Sequence, residues 1–313
     1  MTQSARWYMD VAGPILAGVG ARTNDALIQY VEENGLSERA DLNLVQIAWG
    51  SRPEPVTPET FARRTPYANP EIFVSQLEGA AERGWLVALG EDRYSVSARG
   101  TEVTAGLFEL GDQIFGALEA LPDDELERII ELLFTVGETA RQLPEPAEKW
   151  ALAWGAKFDR GPDAPLMVSV RRRMIDLFSY RDDVHIAAWQ PYGASGQEWE
   201  AFTMVWQGDA ATAAELAEKL PYRSYDEDAY EVALQSLVAR GWITKEDGAY
   251  AATEKGKKLR QEAEDATDRY FDAAWVSLSE AETEEIKGLL GKLAEVLKPP
   301  EEEPAQSVGR SFQ

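Results

Sequence analysis

Few residues in this 313-residue chain carry the side chains most enzymes rely on. There is no cysteine and a single histidine, His185. Thiol nucleophiles, disulfides and zinc-finger ligand sets are therefore unavailable, and metal or acid–base chemistry reduces to carboxylates. The 55 Asp and Glu residues are too abundant for spacing to single out a pair. Gly193-Ala194-Ser195-Gly196 departs from the Gly-x-Ser-x-Gly turn of a serine nucleophile. Gly18-Val19-Gly20 lacks the third glycine and the preceding strand of a dinucleotide loop. His185 sits in the apolar run Asp183-Val184-His185-Ile186-Ala187-Ala188-Trp189 and reads as a structural histidine. The expectation is no catalytic residue, no metal and no cofactor.

The chemistry that remains is charge recognition. Arg63 and Arg64 end one short helical run, and Tyr67 and Asn69 precede the next. That is where a helix-turn-helix meets a phosphate backbone. Gln76, farther along the second run, could reach a base edge, and Arg93 lies in a hairpin after it. The same arginines read equally as solvated charges suiting a helix C-terminus. A matching stretch later in the chain offers Arg223 and Lys245, but it also carries Asp226, Glu227, Asp228 and Glu231, which repel phosphates. Arg171, Arg172 and Arg173 form the one dense basic run. They could hold the carboxylate or phosphate of a small ligand, or simply pair with the surrounding acidic excess. Tyr180, Trp189, Trp199 and Trp206 could line an aromatic pocket between the halves of the chain, although aromatic residues in such number more often build core.

Two sets of elements must position these groups, and they repeat. Val238–Gly256 resembles Ala81–Gly100, about 156 residues earlier. In each copy a helical run ends at Arg-Gly-Trp (Arg83-Gly84-Trp85; Arg240-Gly241-Trp242). Two β-favouring segments follow around Gly90-Glu91-Asp92 or Asp247-Gly248, and then a glycine, Gly100 or Gly256, opens a long polar helix. Asp-Gly between strand-like runs is a strong hairpin signal. Upstream, Thr57-Pro58-Glu59 and Asn69-Pro70-Glu71 start two short helices joined through Thr65–Ala68. Thr212–Glu215 and Ser224–Glu227 are capping boxes that start their counterparts. Pro66-Tyr67 recurs as Pro221-Tyr222 in the turn. Helices are also expected over Asp25–Asn34, Ala40–Trp49, Thr101–Leu118 and Glu254–Trp275. Further helices follow Pro122 and Ser279.

This outline resembles the MarR-type winged helix-turn-helix family, chiefly through Leu237–Ile243, the wing, Thr253-Glu254-Lys255-Gly256 and the Leu278-Ser279-Glu280-Ala281-Glu282 helix entry. The resemblance implies a mainly α fold with small β-wings, two tandem units forming an intramolecular pseudo-dimer, and terminal helices that build the dimer interface. It implies a DNA-binding transcription regulator responsive to a small aromatic ligand, working as a monomer or a homodimer. Two engaged recognition helices would then lie roughly 34 Å apart, one turn of DNA.

The charge argues the other way. The net charge is −24, and both halves are acidic: residues 1–150 hold 12 Lys+Arg against 25 Asp+Glu, and residues 151–313 hold 19 against 30. Phosphate neutralisation needs a local basic stripe. The alternative is a winged-helix scaffold that binds a small molecule or a protein and no DNA. Expected boundaries are a first unit over 1–143, a connector over 144–165, a second unit over 166–298 and a disordered tail over 299–313. The sequence shows no signal peptide and no membrane span, and lack of cysteine fits the cytoplasm.

Overall fold

The computed structural model describes residues 5–36 and 39–298, with the side chains of residues 39 and 40 left aside; the expected tail lies outside the described residues. Thirteen α-helices and two separate two-stranded sheets are found among the described residues. In order they are α1 (Trp7–Glu33), α2 (Arg39–Ser51), α3 (Pro58–Arg64), α4 (Ile72–Glu82), β1 (Leu86–Gly90), β2 (Arg93–Val96), α5 (Ala98–Gly116), α6 (Asp123–Gln142) and α7 (Trp150–Gly155). Then come α8 (Leu166–Trp189), α9 (Gly196–Gln207), α10 (Ala213–Lys219), α11 (Glu227–Ala239), β3 (Ile243–Glu246), β4 (Ala249–Ala252), α12 (Glu254–Trp275) and α13 (Glu280–Leu297). No described helix is long and apolar enough to cross a membrane.

The order from α1 to α6 recurs from α8 to α13, and the local chemistry recurs with it. Asp41 on α2 takes a two-pronged pair from Arg83 at the end of α4, at 2.6 Å to each oxygen. Glu198 on α9 takes Arg240 at the end of α11, at 3.6 Å. The Ser97 hydroxyl donates to the Gly84 carbonyl and the Thr253 hydroxyl to the Gly241 carbonyl, each at 2.8 Å. These same hydroxyls cap α5 and α12 by accepting from the amides of Gly100 and Gly256. Both glycines are there because a Cβ would lie 2.6 Å from the Trp85 carbonyl oxygen or 2.0 Å from that of Trp242. Each hairpin therefore lies flush on the start of the following helix, and any larger residue would push it off.

β1 pairs antiparallel with β2 through Leu86↔Val96, and β3 with β4 through Ile243↔Ala252. The second turn has positive φ at both Asp247 and Gly248, as a tight twisted hairpin requires. The first shifts register between Ala88 and Gly90, with Glu91 and Asp92 both left-handed.

Three apolar cores divide the chain. One lies within α2–α5 and the first hairpin, with Val45, Phe61, Leu77 and Trp85 buried. A second lies within α9–α12 and the second hairpin, with Phe202, Leu216, Leu234 and Trp242. The third joins α1, α5, α6, α8, α12 and α13. In it α1 packs on α13, and α6 packs on α8 and α12, so each half closes on helices of the other. Tyr8 donates to the Met174 carbonyl at 3.2 Å, and Arg22 to the Leu297 carbonyl at 2.7 Å.

Two expectations need correction. The first helix begins at Trp7, not Asp25, and carries Pro14 and Gly18 inside it. Gly18 is tolerated because α13 ends against it, where a Cβ would stand 1.9 Å from the Leu297 carbonyl oxygen. Ser224 does not cap α11: it adopts φ 59°, and Asp226 accepts from the Ala229 amide instead. The Pro-rich 144–165 stretch holds α7, whose first amides, Ala151 and Leu152, donate at 2.9 Å to the buried Asp183 carboxylate on α8.

Candidate helix-turn-helix interface

α3 and α4 form one helix-turn-helix, and α10 and α11 the other. Thr57 caps α3 in a box closed by Thr60, and Asn69 closes the turn into α4 by accepting from the Glu71 amide at 3.0 Å. Phe61 and Phe73 hold α3 on α4 with ring centres 5.8 Å apart. In the second unit Thr212 caps α10, and Pro221–Arg223 forms a single 3-10 turn before α11.

The two turns are bonded to each other. The Asn69 amide donates to the Arg223 carbonyl at 2.8 Å. Its side-chain Nδ2 donates to the Ser224 carbonyl at 3.1 Å. The Tyr225 hydroxyl donates to the Ala68 carbonyl at 3.2 Å, and Trp189 Nε1 to the Tyr67 hydroxyl at 3.0 Å. The Arg223 guanidinium lies 5.3 Å from the Tyr67 ring centre. Gly196, first in α9, is pressed so closely on this turn that a Cβ would stand 1.9 Å from the Pro66 carbonyl oxygen. Burial raises the Tyr67 pKa far above that of a free phenol.

With 11 and 13 residues, α4 and α11 are about 16 and 20 Å long. The chain segments that lead into them meet at this one junction.

The eight residues expected to contact DNA are spread over both units, and three of them stand in ion pairs. Arg63 is exposed but pairs with Glu148 at 2.7 Å. Arg64 is partly buried, and burial lowers its pKa against the opposing pull of Asp182 and Asp183. Tyr67 and Asn69 are consumed by the turn-to-turn contact. Gln76 is half-buried on α4. Arg223 is bonded to Glu200 at 2.8 Å; burial alone would lower its pKa, but Glu200 outweighs this and the pKa is raised. Lys245 pairs with Glu231 at 2.8 Å, and Glu231 also accepts from the Tyr250 hydroxyl at 2.7 Å. Hydrogen bonds from Lys245 and Tyr250 lower the Glu231 pKa. Arg93 stands exposed in the first hairpin. The outward face of α4 shows Glu71, Val74, Ser75, Glu78 and Glu82, and that of α11 shows Glu227, Asp228, Val232, Gln235 and Val238. Neither face carries a cation over these positions.

The tentative ligand residues lie in packed surroundings. Arg172 reaches Asp176 at 2.6 Å, and Arg173 reaches Asp159 at 2.6 Å and Asp176 at 3.4 Å. Arg141 also reaches Asp176, at 3.1 Å, so the basic run is met largely by carboxylates. The Arg171 guanidinium lies 4.6 Å from the Phe115 ring centre, and burial beside Arg172 lowers its pKa to about 10. Tyr180, Trp189 and Trp199 are at most 3% exposed. Trp189 stacks on Trp199 at 5.7 Å, and Tyr180 donates to the Tyr270 carbonyl at 2.8 Å. Trp206 and Trp199 flank the buried Arg260. Tyr180, Trp189 and Trp199 are core residues, and Trp206 packs against the core. A groove of about 770 Å³ lies elsewhere, lined by Gly116–Asp123, Leu126 and Pro165–Met167. Among the described residues no group of three or more His, Asp or Glu could hold a metal.

Sequence reasoning missed Trp189, Glu200, Ser224 and Tyr225 as partners of the first turn. The recurring Pro-Tyr pair was the one visible signal, and its copies diverge: Tyr67 is engaged between the units, whereas Tyr222 is 58% exposed.

Residues 179–300 match the model of a family described as a helix-turn-helix family. That span runs from the second half of α8 through α13 and contains the second helix-turn-helix. No curated protein and no solved structure matches the chain.

Proposed function

We propose that this chain is a single-chain pseudo-dimer of two winged helix-turn-helix units, a regulatory scaffold whose recognition surfaces bind a partner other than DNA. The helix-turn-helix match supports a regulatory rather than catalytic role. The repeated Asp41–Arg83 and Glu198–Arg240 pairs, and the exchange of α1 and α13 between halves, support the tandem reading. The observation that supports the non-DNA reading is the bond between the two turns, Asn69 N–H to the Arg223 carbonyl at 2.8 Å. It joins the recognition helices at the ends that would have to enter separate grooves.

Gel-shift titration with a pool of genomic fragments tests it at about 50 mM salt, where phosphate contacts are strongest. The expected result is no retarded species up to ten-micromolar protein. A shift that disappears in the Arg63→Glu, Arg93→Glu double variant overturns the proposal.

The family match itself favours a second reading, a MarR-like DNA-binding regulator, cytoplasmic and controlled by a small aromatic effector. On that reading the joined turns are the DNA-free state, and binding requires them to part. A shift seen only after the turns are forced apart selects it.

A further inference from the structure

The surface that a recognition helix presents should match its partner in charge and polarity. Ten large hydrophobic side chains are exposed among the described residues, and six of them lie on the two helix-turn-helix units: Val74, Val87, Leu89, Tyr222, Val232 and Val238. Val232 is 68% exposed, and Val87 and Leu89 share one face of β1, two residues apart. Val74 lies on α4, Val232 and Val238 on α11, and Val87 and Leu89 on β1; exposed apolar side chains rimmed by polar ones mark protein contacts. They are interleaved with Glu71, Glu78, Glu82, Glu227 and Asp228, all exposed. The nearby cations Lys245 and Arg223 are spent on Glu231 and Glu200. First-turn acids are also what a helix N-terminus favours, which accounts for Glu227 and Asp228 by themselves. It does not account for Glu78 and Glu82 in the second half of α4, nor for the strongly exposed Val232 on α11.

We propose that the outward faces of α4 and α11 dock a basic, apolar-bearing segment of a partner protein, with valines taking its apolar side chains and carboxylates its Lys or Arg. The partner is a polypeptide rather than a nucleic acid, because phosphates meet only carboxylates there while cationic amphipathic chain meets both complements. This rests on the reading of these surfaces as protein-binding.

The test uses the full chain and a fluorescein-labelled 21-residue peptide of Lys, Leu and Ala with helical amphipathic spacing. Two further peptides carry Glu for Lys or Ser for Leu. Anisotropy is read at 150 mM salt, where weak bulk attraction is screened. The expected result is binding of the Lys/Leu peptide alone. Its Kd should rise at least tenfold with Glu78→Lys plus Glu82→Lys on α4, or with Val232→Ser plus Val238→Ser on α11. The equal charge change Glu127→Lys plus Glu295→Lys, remote from both faces, should alter Kd less than twofold. Circular dichroism confirms that each variant is folded. Absence of binding, equal binding of the Ser-for-Leu peptide, or equal weakening by the remote variant overturns the inference while leaving the non-DNA reading intact. A DNA shift of the wild type at low salt overturns that reading itself.

Discussion

Gly196→Val drives a wedge between the two units where Pro66 and Tyr67 rest on the start of α9. The added Cβ would start 1.9 Å from the Pro66 carbonyl oxygen, whereas a carbon rests at roughly 3.3 Å from such an oxygen. The turn must therefore retreat by more than 1 Å. The four cross-unit hydrogen bonds are 2.8, 3.1, 3.2 and 3.0 Å long, and a retreat of that size takes them beyond hydrogen-bonding distance. At about 1 kcal/mol net each, the contact contributes about 4 kcal/mol, a closed-to-open ratio on the order of 10³. Because the chain has no cysteine, Glu78→Cys with Gln235→Cys places two spin labels, one on each recognition helix, in a clean background. Pulsed electron resonance should give one narrow distance for the parent and a longer, broader distribution for Gly196→Val. Helix content should be retained. Gly288→Ala, where a Cβ meets nothing within 4 Å, is the control. An unchanged distance and an unchanged melting temperature in Gly196→Val would refute the latch.

Other outcomes follow from buried charges. Burial and the neighbouring Arg260 push His185 down to about 4, while an unfolded imidazole titrates near 6.5. The unfolded chain thus binds the extra proton first, so stability is full above pH 6.5 and falls by up to about 3 kcal/mol as pH drops toward 4. Urea unfolding from pH 7 to 4.5 should show this slope, flattened in His185→Gln; an identical slope in the variant removes the explanation. Asp183 works in the opposite sense: burial holds its folded pKa near 6, so protonation favours the folded state as pH falls below that value, and Asp183→Asn should steepen the acid loss. Arg83→Met leaves Asp41, 2% exposed, without its two-pronged partner. A loss of about 2 kcal/mol is expected in thermal melts, with much of it restored by adding Asp41→Asn. Equal melting of the single and double variants would show that the pair acts through something other than the stranded carboxylate.

Local chemistry made most of the elements legible. Asp247-Gly248 announced a hairpin because only residues tolerant of positive φ make that turn, and Ser279 with Glu282 announced a helix start because the two satisfy each other's amides. Gly100 and Gly256 were visible as paired landmarks, although their cause, a carbonyl lying against the helix, belongs to packing. The N-terminal half of α1 was not legible. Pro14, Gly13 and Gly18 lower helix propensity, and what overrides them is contact with α13, some 280 residues away in sequence. Ser224 misled because a capping box is a local inference, whereas the residue was taken by a turn whose carbonyl serves Asn69.

The candidate site was less legible than the fold, and for a related reason. A cation's availability depends on which carboxylates fold against it, and several of those partners are remote in sequence: Glu148 for Arg63, Asp182 and Asp183 for Arg64, Glu200 for Arg223. In a chain of net charge −24 each guanidinium folds amid a surplus of acceptors. Arg63, Arg223 and Lys245, chosen for their spacing, each stand in an ion pair. The contact between the two turns is asymmetric. Tyr67 became an internal contact and Tyr222 stayed exposed. The Pro-Tyr pair that recurs in the sequence therefore also marks a place where the two turns differ.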